Sequence, residues 1–172
     1  MKDYSIREIT PREIPLLDDF LYEAIFQPDE QNQLPRDVIK QPELQVYIEN
    51  FGEPDDHCLV AECDDKIVGA VWTRILAGKV RGFRNVDDKT PEFAISLYQE
   101  YRNCGIGTAL MKRMLQHLTS KGYRQVSLVV QKDNYALSMY LAVGFCVIDE
   151  LDQEYLMICQ LDGESMLKVD YV

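Results

Sequence analysis

Arg102-Asn103-Cys104-Gly105-Ile106-Gly107-Thr108 lies between the apolar run Phe93–Leu97 and the periodic run Leu110–Leu118, the order of a strand, a glycine loop and a helix start. That arrangement binds anions. The first amides of a helix have no intrahelical acceptor, and the macrodipole adds roughly half a positive charge there. Two glycines one residue apart allow a sharp turn and remove the Cβ atoms that would hold a pyrophosphate off the amides. Arg102 brings a cation beside them. A dinucleotide fingerprint is excluded, because Leu110 stands where its third glycine belongs and no acidic residue ends the next expected strand about 20 residues on. A Walker loop is excluded too, since the chain has no Gly-Lys-Ser/Thr.

The spacing Arg-x-x-Gly-x-Gly after a strand resembles the acetyl-CoA pyrophosphate loop of the GNAT-type N-acetyltransferases, whose signature is Gln/Arg-x-x-Gly-x-Gly/Ala, and the lead-in Ile95–Arg102 is similar as well. Downstream, Asn134-Tyr135-Ala136-Leu137-Ser138-Met139-Tyr140-Leu141-Ala142-Val143-Gly144-Phe145 resembles the family's Asn-x-x-Ala-x-x-x-Tyr-x-x-x-Gly-Phe segment. Two blocks in the right order are far more specific than either alone. The first fifty or so residues resemble the family less.

The resemblance implies an acetyl-CoA-dependent N-acetyltransferase with no metal. It implies that Ile95, Leu97, Arg102, Asn103, Cys104, Gly105, Ile106, Gly107, Thr108 and Asn134 bind the cofactor, Leu97 and its neighbours through main-chain groups. It places Tyr140 near the CoA sulfur as the general acid. A phenol, with a pKa near 10, keeps its proton at neutral pH and can donate it. Aromatic packing is the plainer role for that residue. For the general base the nearest match is Glu92, with Glu62 or a water relay as alternatives. Some base is required, because an amine of pKa near 10.4 is disfavoured as the neutral nucleophile by about 4.6 kcal/mol at pH 7. A different class of function, a CoA-responsive binding module without turnover, stays open.

The elements that must position these residues follow from local patterns. Tyr4–Ile9 alternates as a strand. Thr10, Pro11 and Glu13 open a helix with a capping box, and Ile14, Leu17, Leu21 and Ile25 share one face of it. Gln27–Pro42 reads as a long loop, and Pro42–Phe51 as a short helix. His57–Glu62 and Lys66–Ile75 form a hairpin about Asp64-Asp65. A second irregular stretch, Gly78–Pro91, precedes the strand Glu92–Leu97. The third helix runs from the glycine loop to about Lys121, with Gly122 as its stop. Gln125–Gln131 is a strand, Asn134 caps a fourth helix that ends at Gly144, and Phe145–Asp149 and Tyr155–Leu161 close as an antiparallel pair. The order predicts an α/β fold with one mixed, mostly antiparallel sheet flanked by helices. The resemblance adds that the strands at Glu92–Leu97 and Gln125–Gln131 splay apart around the pantetheine arm.

Length fits a single domain over residues 1–161, with a tail at 162–172 that carries no readable pattern. Hydrophobic and charged contents of 47% and 27% are those of an ordinary globular protein. Lys+Arg 18 against Asp+Glu 29 leaves −11, which argues against nucleic acid or an anionic membrane as partner and is compatible with a cationic acceptor. The resemblance implies a small-molecule or peptide amine as partner, and a homodimer is compatible with the chain. The N-terminal residues lack a signal-like apolar core and no stretch reaches membrane-spanning length, so the expected address is cytoplasmic.

Cys58, Cys63, Cys104, Cys146 and Cys159 show no zinc or disulfide spacing, and Cys58, Cys146 and Cys159 read as buried free thiols. Cys104 lies in the anion loop, where a helix start favours thiolate, although such a loop works through its backbone. His57 and His117 stand far apart in sequence and make no metal motif and no evident triad.

Overall fold

A computed structural model describes residues 3–77 and 85–162. Residues 78–84, half of the second irregular stretch, and all but the first residue of the tail lie outside them. Seven strands form one sheet in the order β1-β2-β3-β4-β5-β7-β6, where β1 is Ser5–Glu8, β2 His57–Cys63, β3 Lys66–Arg74, β4 Glu92–Leu97, β5 Gln125–Gln131, β6 Cys146–Glu150 and β7 Glu154–Gln160. Neighbours are antiparallel except β4 and β5, which pair in parallel only at Glu92–Ser127. Beyond that rung the two strands part, as expected of this sheet.

Alternation along the strands sends side chains to two cores. On one face α3 (Ile106–Ser120) buries Leu110, Met111, Met114 and Leu118 against Val71, Phe93, Val126 and Met157. On the other, α1 (Leu17–Ala24) and the turn after the short α2 (Pro42–Gln45) cover Val60, Ala70 and Trp72 with Leu17, Phe20 and Tyr47. The β2–β3 turn places Asp64 and Asp65 at φ 51° and 59°, the left-handed pair that a two-residue hairpin needs. At the end of α3, Gly122 sits at φ 87° as the stop residue.

Several local expectations change. The first helix starts as a 3-10 turn, Pro11–Leu16, before α1 begins. Pro15 inside this turn has no amide to donate, and its ring crowds the carbonyl four residues back, which disfavours a regular α-helix there. The Thr10 amide does donate to Glu13 Oε2 at 2.8 Å, completing that half of the cap. Ile25 lies past the helix end with extended backbone. The Gln27–Pro42 segment contains a 3-10 turn at Arg36–Lys40, and the helix expected over Pro42–Phe51 is α-helical only at Pro42–Gln45. Arg74 pins the chain beyond α2, donating to the Val46 and Glu49 carbonyls at 3.0 and 2.7 Å and to both oxygens of Asp56. The fourth helix, α4, is Leu137–Ala142 with Ala136 at its N-cap, two residues later than expected; Asn134 instead accepts the Ala136 amide through Oδ1 at 2.9 Å. Cys58 and Cys159 are buried, and burial raises both thiols, the second to about 11. Cys146 is exposed, because β6 is the outer strand of the sheet and every residue of it faces solvent.

The two histidines meet. His117 Nε2 lies 3.0 Å from His57 Nδ1, His57 Nε2 lies 3.1 Å from Tyr123 Oη, and Tyr123 donates to Asp55. Since the Asp55 carboxylate can only accept, the hydrogens run in one direction, with His117 donating to His57 and His57 to Tyr123. Burial holds both imidazoles below their ordinary value, with the neighbouring His117 and Lys121 also lowering His57 and with Glu8 opposing the shift at His117. A base with a lowered folded-state pKa leaves the unfolded chain binding more protons as pH falls below about 6.5. Stability from this pair is therefore present above that pH and lost on acidification. The urea midpoint is expected to fall between about pH 7 and 5.5, and His117→Gln to flatten the slope. Parallel pH profiles for the two proteins would contradict this.

Candidate active site

The loop between β4 and α3 has the geometry that its residues predict. Asn103 at φ 59° and Gly105 at φ 84° turn the chain in left-handed conformations, and Gly105 is the N-cap of α3. The amides of Ile106, Gly107 and Thr108 open the helix, and no acidic residue stands in its first turn. The two glycines differ in what a side chain would meet. At Gly105 the space is open and the positive φ is the constraint, whereas a Cβ at Gly107 would lie 3.4 Å from Leu97 Cδ1 and 3.5 Å from Met139 Sδ. Ile106 anchors the turn by burying its side chain in the α3 core.

A cavity of about 690 Å³ borders this loop, the end of β4, the end of α1 and the start of α4. Ile95, Leu97, Arg102, Asn103, Gly105, Gly107, Thr108 and Asn134 line it, together with Tyr140. Ile106 and Cys104 are not among the lining residues; Cys104 is exposed, and its thiol donates to the Arg102 carbonyl at 3.2 Å. Tyr140 projects from α4, its ring 6.1 Å from that of Phe145. Its hydroxyl has no hydrogen-bond partner among the described residues. Burial, with a smaller push from Tyr135, raises the phenol, so it stays protonated at neutral pH.

Glu92 stands apart from this group. It is 4% exposed at the closed end of the β4–β5 fork, accepts the Tyr47 hydroxyl at 2.7 Å through Oε2, and leaves Oε1 buried without a partner. Burial raises its carboxyl above the usual range, and the Tyr47 bond offsets part of the shift. It does not line the cavity. Glu62, also outside the lining, is held by Arg7, whose Nε lies 2.8 Å from Oε2.

The charge of Gln27–Phe51 suggests an acidic acceptor side, but sequence reading missed Glu23 and Glu100, which complete it. Glu23 at the end of α1, Glu30 and Glu100 line the cavity with Tyr22, Phe26 and Tyr98. Of the acidic residues in Gln27–Phe51, Glu30 lines it while Asp29, Asp37, Glu43 and Glu49 do not. Arg102 is not free beside the amides. Its Nε donates to the Leu97 carbonyl at 3.0 Å and its Nη2 to Glu23 Oε2 at 2.9 Å. The only hint of Glu23 in the sequence is its place at the end of the amphipathic helix before the long loop.

Among the described residues no three His, Cys, Asp or Glu side chains are grouped to hold a metal. The glycine cradle, by contrast, fits a pyrophosphate: bare helix amides, a nearby guanidinium, and a glycine whose missing side chain leaves the amides uncovered beside Leu97 and Met139.

Comparison with known proteins places this arrangement. A family profile described as "Acetyltransferase (GNAT) family" matches residues 20–145. The chain is 29% identical over 121 residues to a mycothiol acetyltransferase of Nocardiopsis dassonvillei, covering 70% of this chain and 35% of that protein. Over 123 residues it is 28% identical to an N-alpha-acetyltransferase of Sulfurisphaera tokodaii, covering 69% of this chain and 71% of the other. The chain thus spans about a third of the mycothiol enzyme's length. Among solved structures, the PaiA N-acetyltransferase of Thermoplasma acidophilum in complex with coenzyme A superposes with a TM-score of 0.67 at 20% identity, covering 92% of this chain and 99% of that one. The spermidine/spermine N-acetyltransferase SpeG of Vibrio cholerae gives 0.66 at 16% identity, covering 98% of each. At these identities the structural likeness speaks for the fold.

Proposed function

The chain belongs to the acetyltransferase (GNAT) family, and on that premise we propose that it transfers an acetyl group from acetyl-CoA to a primary amine. The observation that carries the reading is one cavity that joins bare helix amides at the glycine loop to the protonated phenol of Tyr140. Acetyl-CoA supplies the acyl group already activated as a thioester. The amides of Ile106, Gly107 and Thr108 hold the pyrophosphate, Ile95 and Leu97 line the path of the pantetheine, and Asn134 shapes the α4 side. As the C–N bond forms and the C–S bond breaks, Tyr140 gives its proton to the departing sulfur. The amine loses a proton in the same reaction. Since Glu92 and Glu62 both lie outside the cavity lining, a water relay is the base that this reading takes.

The acceptor we propose is a cationic amine. Glu23, Glu30 and Glu100 line the cavity against Arg102 as the facing cation, and such a wall attracts ammonium groups and disfavours anionic acceptors. Spermidine is expected to turn over better than a neutral amine, and an acidic peptide worst. KM for spermidine should rise with salt, since exposed charges are screened beyond about 8–10 Å at physiological ionic strength. Equal turnover of all three acceptors without salt dependence would contradict the assignment. A cytoplasmic setting supplies the acetyl-CoA in this proposal, and no helix among the described residues is long and apolar enough to cross a membrane.

A further inference from the structure

The Glu23–Arg102 ion pair joins the two halves of the cavity. Glu23 ends α1, on the acidic wall, while Arg102 opens the glycine loop 79 residues later, and the two meet at 2.9 Å. Their side chains are 25% and 28% exposed, so each charge is partly removed from water and costly to leave alone. The neighbouring carboxylates are placed differently. Asp19 is held by Arg36 and does not line the cavity, Glu100 faces Lys66 at 3.9 Å in a pair that is 60% and 57% exposed, and Glu30 is exposed. Glu23 alone of the acidic lining residues is both half-buried and bound to a residue of the anion loop.

We propose that Glu23 is the anchor for the acceptor's ammonium group and that Arg102 controls its availability. The inference rests on the reading of the cavity as an acetyl-CoA and amine site. Without a pyrophosphate, Glu23 and Arg102 neutralise each other. A pyrophosphate at the Gly105–Thr108 amides draws the guanidinium with a larger negative charge than one carboxylate carries, and Glu23 is left half-buried without a cation. A cationic acceptor then supplies it. Each substrate takes one half of the ion pair, so the anionic cofactor tightens the cationic acceptor, and linkage requires the acceptor to tighten the cofactor by the same factor. An acceptor without positive charge gains nothing from the exchange. The ties that hold α1 to the end of β4 keep Glu23 in place while its partner changes: Ser96 Oγ donates to the Phe20 carbonyl at 2.6 Å, and the Phe20 and Tyr98 rings lie 5.1 Å apart.

The test is a calorimetric titration of the intact chain with CoA, which binds without turnover, alone and in saturating spermidine. Wild type is expected to bind CoA about 5-fold or more tightly in spermidine, at the lower end of ordinary coupling. Glu23→Gln should bind CoA alone at least as tightly as wild type, because nothing competes for Arg102, and spermidine should then change its affinity by less than about 2-fold. Glu23→Asp, which keeps the charge on a shorter arm, guards against a folding defect and should give an intermediate coupling. Wild type that binds CoA with no response to spermidine, or Glu23→Gln that keeps the full response, overturns the inference and leaves the family reading intact. Wild type that fails to bind CoA overturns both.

Discussion

Tyr140→Phe is expected to lower kcat about 10²-fold or more, the scale of losing a general acid, while CoA affinity stays close to that of wild type. The substitution removes one oxygen. The phenylalanine ring keeps the contact with Phe145 and the burial beside Met139, so the α4 wall of the cavity is preserved. Because burial raises the phenol, Tyr140 holds its proton throughout the neutral range and acts as a donor there. The loss should therefore fall on kcat, and slow release of the thiol should account for it. A phenylalanine variant with full activity would reduce Tyr140 to a packing residue.

Gly107→Val is expected to abolish the rise in Tm that CoA gives the wild-type protein. A ligand at about 100 times its Kd adds about 2.7 kcal/mol to the stability of the protein that binds it. NAD, which has no fingerprint to meet here, should add nothing. In the variant, Cβ already stands 3.4 Å from Leu97 Cδ1 and 3.5 Å from Met139 Sδ, and the two methyls beyond it fill the gap that the glycine leaves at the amides. Position 107 lies in the first turn with ordinary helical backbone, so the cost to the apo fold is that of a β-branched residue in a helix, below about 1 kcal/mol. An unchanged CoA response in Gly107→Val would remove the loop from the cofactor site.

What the sequence made legible was local. β4 and β5 match their expected bounds because apolar alternation and flanking turns specify short strands, and the glycine loop matches because the positive φ at Gly105 favours glycine. The wider plan, one mixed sheet with helices on both faces, followed from the order of elements. Hidden features depend on residues far apart in the chain. Glu23 and Arg102 are separated by 79 positions and His57 and His117 by 60, and no periodicity marks such pairs. Cys146 shows a different limit: it opens the apolar run Cys146-Val147-Ile148, which reads as buried, yet β6 lies at the sheet edge with all its residues exposed. Glu92 shows a third. Its position in the chain suited a base, yet the pleat turns it toward Tyr47 and the α2 core instead of the cavity.

The most direct test of the central claim is to incubate the intact chain with acetyl-CoA labelled in its acetyl group and with spermidine, and to follow both products by mass spectrometry. The account predicts labelled acetyl on an acceptor nitrogen, one free CoA thiol released per acetyl transferred, and both signals appearing about 10²-fold more slowly in Tyr140→Phe. Saturable CoA binding with no label on spermidine or on any amine of a broad panel would contradict it, and would leave a CoA-binding module in place of an acetyltransferase.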